Sequence, residues 1–335
     1  MIANVLVLLG AIALVFVAAL FFVNALEWLG YGLKLGSSFV GAILSPLFTS
    51  LPELIVILIA LFAFGGTSGQ EIGIGTIFGQ PFMASSLSYG LVGMAVLIGW
   101  MLGKRNSHYL VIDKTLAIPY IFITVLFPLT LVPGFIHFGW LRIVSGVVFL
   151  VAFLFYIQMM FGKRLVGSVG EAEELFLARF LPKSRLRPGI ALAVQLGVGV
   201  SLLYFGSHYL VKSVVDISAG INLSPLSLAL IIIPAATAIP ETVNAIIWGF
   251  RGKDTLSLGS LVGEKILYST FYPALGLFLT GWELDDHAVY SVAATTVISL
   301  ILLYFIRRQR LPWFALLTGL FFFAGYAILI FLFKA

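Results

Sequence analysis

The stretches Pro46–Glu53, "PLFTSLPE", and Pro234–Glu241, "PAATAIPE", decide how this chain is read. Each lies inside a long apolar run and spells P-x-x-T-x-x-P-E, so that Pro46 matches Pro234, Thr49 matches Thr237, Pro52 matches Pro240 and Glu53 matches Glu241, all 188 positions apart. A proline inside a helix removes a backbone hydrogen bond and collides with the preceding turn, at a cost of about 3 kcal/mol. Two in each octet predict deliberately interrupted helices. Pro52 leaves the carbonyl of Phe48 without its amide donor, and Pro240 does the same for Ala236; in hydrocarbon such groups survive only where they line a protein cavity or bind something. At helical spacing Pro46, Thr49 and Glu53 share one face, as do Pro234, Thr237 and Glu241. Carbonyls, a hydroxyl and a carboxylate therefore converge in each copy, an oxygen-only set that suits a hard cation such as Ca²⁺ or Na⁺.

The apolar runs around the octets place the chain in a membrane. Of its 335 residues 61% are hydrophobic and 10% charged, and the mean hydropathy is +1.13, well beyond what a soluble domain needs. Runs long enough to cross a bilayer are read at 3–26, 36–64, 72–102, 115–133, 139–161, 189–211, 224–249, 256–281, 288–306 and 311–333, ten spans in all. No Lys or Arg precedes the first run, so it is expected to be a retained span rather than a cleaved signal. The absence of cysteine excludes disulfides and Cys-ligated zinc.

Fifteen of the 19 Lys and Arg fall in the odd-numbered connections, among them Lys104, Arg105, Lys114, Arg251, Lys253, Arg307, Arg308 and Arg310. The positive-inside rule then makes the odd loops cytoplasmic and turns both termini outward, as in a multi-pass protein of the cell membrane. This distribution accounts for the basic pI near 9.4 as scattered topology signals and argues against nucleic-acid binding.

A second motif extends the internal similarity. "GIGTIFGQ" and "SLGSLVGE" pair Gly75 with Gly259, Thr76 with Ser260, Gly79 with Gly263 and Gln80 with Glu264, 184 positions apart. Thr76 and Gln80 lie one turn apart, as do Ser260 and Glu264, which makes Glu264 a candidate third carboxylate; the four glycines allow close helix packing. Five spans per half means that the second copy enters the membrane from the opposite side. The expected fold is all-α: residues 1–162 form a first five-helix repeat, 163–187 a cytoplasmic linker and 188–335 an inverted second repeat, a plan used by transporters. Within the linker, "GEAEELFLARFL" is read as a solvated segment, with a short interfacial helix as the alternative.

In these motifs the chain resembles the cation/Ca²⁺ exchanger superfamily, whose two repeats each carry a G-T-S-L-P-E-like element followed by G-N-x-[IV]-G-S-N/D. "TSLPE" at Thr49–Glu53 matches closely and "TAIPE" at Thr237–Glu241 more loosely. The resemblance implies exchange of Ca²⁺ for Na⁺ or H⁺ by alternating access, with Glu53 and Glu241 as central ligands and Thr49, Ser50 and Thr237 as oxygen donors; no prosthetic group is implied. The chain departs from the pattern at Phe48 and Ala236, where the family has glycine, at Ala238, which lacks the serine hydroxyl, and at Pro81 and Lys265, which stand at ligand positions. An ammonium has three donors and no acceptor, so Lys265 cannot ligate a metal. It either enters the site as a modulating charge that competes with the cation, or points away and pairs elsewhere.

Two other functions are weighed: a transporter of another solute with Lys265 as internal counter-ion, and a transport-inactive scaffold. An intramembrane enzyme finds no support, since neither H-E-x-x-H nor G-x-S-x-G occurs. The four histidines, at 108, 137, 208 and 287, are expected at or near span ends in structural roles. Asp113 and Lys114 are read as capping or anchoring the fourth span, and "WELDDH" at 282–287 as a solvated acidic turn.

Overall fold

The computed structural model describes residues 2–32, 45–136, 138–160, 174–180 and 188–333. Without water inside a bilayer every backbone amide must be paired within its own segment, and the apolar runs accordingly fold as helices. Among the described residues eight helical segments are long and apolar enough to span a membrane, and the pair Pro225–Thr237 and Glu241–Phe250, bent by 62°, makes a ninth candidate. The run 256–281, one span by hydropathy, is divided. Helix α13 (Asp254–Ser269) and helix α14 (Phe271–Leu279) meet at Thr270, whose φ of −139° and ψ of −76° interrupt the helical backbone.

Both octets break as their prolines dictate, and at equivalent residues. Helix α2 (Ser45–Thr49) stops at Ser50, with φ −89° and ψ 0°, and α3 (Leu51–Ile59) comes next. Helix α11 (Pro225–Thr237) stops at Ala238, with φ −87° and ψ 4°, before α12 (Ile239–Phe250). Each octet's second proline thus falls in the first turn of the next helix, where a missing amide costs nothing. A π turn, Ala60–Phe64, continues α3. Another, Ala84–Ser88, comes after Pro81 and separates α4 (Gly66–Met83) from α5 (Tyr89–Met101).

The two halves interlock through the second motif. α4 packs along α11, and a Cβ at Gly79 would lie 2.8 Å from the Pro234 ring, while one at Gly263 would lie 3.0 Å from the Pro46 ring. These contacts are reciprocal, since Gly79 aligns with Gly263 and Pro46 with Pro234. Gly75 is equally committed, against the Leu226 carbonyl. Gly259 differs from the expectation: among the described residues nothing lies within 4 Å of a Cβ built there, so none of them packs against it. On one flank α1 (Ile2–Gly32) runs beside α10 (Pro188–Ile221), and Gly199 and Gly206, two turns apart, admit Phe22 and Val15.

The remaining helices are α6 (Ala117–Leu129), α7 (Val132–Phe135), α8 (Gly139–Met160), α9 (Phe176–Phe180), α15 (Asp286–Arg307) and α16 (Trp313–Phe333). A two-stranded antiparallel ribbon pairs Tyr109–Val111 with Arg310–Pro312, a feature that three-residue strands leave invisible in the sequence. Next to it Arg105, buried, donates to the carbonyls of Ser107, Gly249 and Tyr109 and forms an ion pair with Asp254 at 3.1 Å. Three connections that carry basic residues are thereby joined at one end of the molecule. Asp113 accepts from the backbone and hydroxyl of Thr115 and caps the turn leading into α6, as expected.

Most of the linker 163–187 lies outside the described residues. Its described part, 174–180, departs from the solvated reading: α9 forms, Leu175 is buried, and the Phe176 and Leu177 amides donate to Asn24 and Gln195. Two polar side chains within α1 and α10 thus receive amides that a helix start leaves unpaired. In the acidic turn Asp285 caps α15, and Trp282 is buried with its indole N–H on the Thr130 carbonyl. His108, His208 and His287 pack against aromatic rings; the histidine at 137 lies outside the described residues.

Candidate functional site

The polar centre of the molecule is built around Gln80 on α4. Its amide nitrogen donates to Glu53 Oε1 at 3.4 Å and to Glu264 Oε2 at 3.1 Å, with all three side chains buried. Gln80 and Glu264 occupy equivalent positions in the two copies, so the link joins a residue to its own counterpart, as happens across a two-fold axis. One threonine of each octet stands by a carboxylate. Thr237 lies close enough to interact with the Glu53 carboxylate, and Thr49 with that of Glu264.

Among the described residues, Glu53 Oε2, Gln80 Oε1 and Glu264 Oε1 are each buried without a hydrogen-bond donor. Buried acceptors are rarely left so, and an unmet one costs about 1–3 kcal/mol. A cavity opens beside them, lined by Gln80, Pro81, Glu241, Glu264, Lys265 and Tyr268 among others. Glu241 is half-buried on its wall, whereas Glu53 is not part of the lining and connects to it through Gln80. The carboxylates do not close into a tight cluster: among the described residues no three acidic or histidine side chains are near enough together to hold a metal ion.

Several predicted donors turn to their own helices. Thr76 donates to Ile72 O, Ser260 to Ser257 O, Thr49 to Pro46 O and Thr237 to Ile233 O. Ser50 donates to Leu47 O, and its carbonyl at the helix break accepts from Tyr272 OH at 2.6 Å. That carbonyl is therefore engaged by protein. The carbonyls of Phe48 and Ala236 are the ones whose amide donors the prolines remove.

Lys265 combines parts of its two readings: it lines the cavity with Glu264, yet it pairs elsewhere. Its ammonium donates to Ser85 Oγ at 2.7 Å and lies 4.4 Å from the centre of the Tyr89 ring and 5.3 Å from that of Tyr120. Among the described residues it makes no ion pair within 4 Å of a carboxylate. One residue beyond Glu264 is about 100° further round the helix, enough to turn the stem aside from Glu264 toward Ser85. Tyr89 and Tyr120 are themselves joined hydroxyl to hydroxyl at 2.6 Å.

Comparison with known proteins agrees with this architecture. The family model for the sodium/calcium exchanger protein matches residues 3–162 and 191–334, nearly the whole chain. The chain belongs to the sodium/calcium exchanger family. It is a multi-pass integral membrane protein. Among curated relatives of this family member are a putative antiporter CaxA of Alkalimonas amylolytica, 29% identical over 113 residues (32% of this chain, 35% of the relative), and a vacuolar calcium ion transporter of Schizosaccharomyces pombe, 30% identical over 146 residues (43% and 34%). The matched stretches span about a third of each relative's length. The crystal structure of the H⁺/Ca²⁺ exchanger CAX superposes with a TM-score of 0.76 at 14% identity, over 97% of this chain and 82% of that one. The sodium-calcium exchanger NCX_Mj, soaked with Na⁺ and Sr²⁺, gives 0.58 at 21% identity over 98% of both. These likenesses establish a shared fold.

Sequence reasoning missed the aromatic side of this family member's centre. Tyr268 and Tyr272 stack at 4.4 Å, and Ser85, Tyr89 and Tyr120 surround Lys265. A signal was present for Tyr268, which lies one turn beyond Glu264 on the same face of α13; Tyr272 lies past the break at Thr270. Nothing comparable pointed to Ser85, because the π turn that aims it shifts the register after Pro81.

Proposed function

We propose that this family member is a secondary cation antiporter that exchanges Ca²⁺ for H⁺ or Na⁺ by alternating access. Its ten spans form two inverted five-helix repeats, 1–162 and 188–335, joined by the cytoplasmic linker 163–187, with both termini outside the cell membrane. The reciprocal Gly79–Pro234 and Gly263–Pro46 packing and the Gln80–Glu264 link support the repeat. One observation carries the transport reading: oxygens from both halves, on Glu53, Gln80 and Glu264, are buried without donors beside a cavity that Glu241 lines. Acceptors in that state are complementary to a hard cation.

In this reading Glu53, Glu241 and Glu264 are the anionic ligands of the transported ion. Gln80, Thr49, Ser50, Thr237, Thr76, Ser260 and the carbonyls of Phe48 and Ala236 complete or support its shell. The hydroxyls of Thr76 and Ser260 face their own helices and act when those helices shift. Lys265, about 100° round α13 from Glu264, stands at the cavity edge as a modulating group; counted as charged, it leaves with three carboxylates a balance that one divalent ion or two monovalent charges neutralise. Competing ions exclude one another because they share the same glutamates. The shared family supports Ca²⁺ as substrate.

Flux in proteoliposomes tests this. Wild-type protein should take up ⁴⁵Ca²⁺ against an imposed proton or Na⁺ gradient, and whichever gradient drives uptake identifies the coupling ion. Undiminished uptake in both Glu53→Gln and Glu241→Gln would remove the assignment.

A further inference from the structure

One hydroxyl at the cavity has no role in cation exchange as proposed so far. Tyr268 is fully buried, at 0% exposure, and forms part of the cavity wall beside Gln80, Glu241 and Glu264. Its hydroxyl has no hydrogen-bond partner among the described residues. Glu53 Oε1 and Glu264 Oε2 take their hydrogen bonds from Gln80 instead. The side chain is also held in place. Its ring stacks on Tyr272 at 4.4 Å and 24°, and the Tyr272 hydroxyl is tied to the Ser50 carbonyl and hydroxyl at 2.6 and 3.0 Å. Two rings braced against the first helix break thus deliver an uncommitted oxygen to the face on which Glu264 lies.

Glu241 and Glu264 line the same cavity, yet the Tyr268 hydroxyl donates to neither. That hydroxyl, fixed by packing and left unbonded, is presented to something the protein does not itself supply. A phenolic oxygen has lone pairs for a hard cation and adds no charge to the site. We propose that Tyr268 supplies its hydroxyl oxygen to the transported cation and favours Ca²⁺ over Mg²⁺. Ca²⁺ accepts six to eight oxygens in flexible geometry, whereas Mg²⁺ demands a near-ideal octahedron and retains its waters, so a bulky fixed oxygen serves the larger ion. This inference rests on the antiporter reading.

The test uses purified full-length protein, with Ca²⁺ and Mg²⁺ titrated calorimetrically into wild type and Tyr268→Phe. Loss of one neutral donor should weaken Ca²⁺ binding about tenfold and leave Mg²⁺ within about twofold, with the melting temperature unchanged. In wild type, Ca²⁺ should shift the infrared C–O stretch of ¹³C-labelled tyrosine, and Tyr268→Phe should lose that band. Equal Ca²⁺ affinity in the two proteins overturns the inference, as does a wild-type protein that binds Ca²⁺ with no tyrosine shift; the second result stands even if Tyr268→Phe folds poorly. A wild-type protein that binds no cation sinks the antiporter reading first, which separates the two failures.

Discussion

The two interrupted helices have the same backbone and different surroundings. Ser50 and Ala238 stop their helices within a few degrees of one another in φ and ψ, because proline acts through the local chain and needs no tertiary partner. Beyond the breaks the two copies diverge. Glu53 is sealed, 1% exposed, and bonded to Gln80, and the Ser50 carbonyl near it is clasped by Tyr272. Glu241 is half-buried on the cavity wall, and Ala238 offers no hydroxyl equivalent to that of Ser50. One copy of the motif is anchored and the other opens to the cavity, so a symmetric sequence element yields an asymmetric site.

The largest effect should come from the carboxylates themselves. Glu53→Gln and Glu241→Gln should each lower ⁴⁵Ca²⁺ uptake by about a hundredfold or more, as expected for ionisable groups on an ion path. Their other responses should differ: a water-soluble carbodiimide should modify Glu241 well before Glu53, and equal rates by mass spectrometry would erase the contrast. Next comes packing. Gly79→Ala drives a methyl into the Pro234 ring and the backbone of α11, and overpacking of this kind costs about 1–3 kcal/mol. Gly259→Ala, which meets none of the described residues, should stay within about 0.5 kcal/mol. Thermal unfolding in detergent compares the two, and equal losses would contradict the packing described.

Tyr272→Phe should cost about 1 kcal/mol by removing the hydroxyl's bond to the Ser50 carbonyl, which keeps only the Leu54 amide among the described residues, a penalty for which the Ala238 break has no counterpart. The smallest effect is at Asp113, outside the spans. The Thr115 amide and hydroxyl hold its carboxyl below the ordinary carboxylate range. Its folded pKa is depressed, so the cap stabilises at neutral pH and is lost as pH falls through that lowered value. Asp113→Ala should therefore lower the melting temperature slightly at pH 7, by the equivalent of about 1 kcal/mol or less, and by progressively less in acid. A difference that grew in acid would contradict this sign.

Much of the architecture was legible because it is written in local terms. Apolar length announces a span, and paired prolines announce a break. The alignment of Gly79 with Gly263 and of Pro46 with Pro234 anticipated that the copies would meet, though not that Gly259 would meet none of the described residues. The site was less legible. Thr76 and Ser260 were placed correctly along their helices, yet their hydroxyls bond to their own backbones, an option that side-chain spacing does not exclude. The ribbon between Tyr109–Val111 and Arg310–Pro312 joins segments too short to show any periodicity.

By itself the sequence determined that the chain lies in a membrane, where its two motif helices break, and that each break is succeeded by an acid. Those properties stem from hydrophobic length and from proline's missing amide, both carried by residues within a few positions of one another. Only the tertiary structure decided that Gln80 joins Glu53 to Glu264, that Lys265 turns to Ser85 and the tyrosines, and that Tyr268 faces the cavity. Such pairings link residues 27 to 184 positions apart. They depend on how helices rotate and dock, and a step of one residue moves a side chain about 100° around its axis.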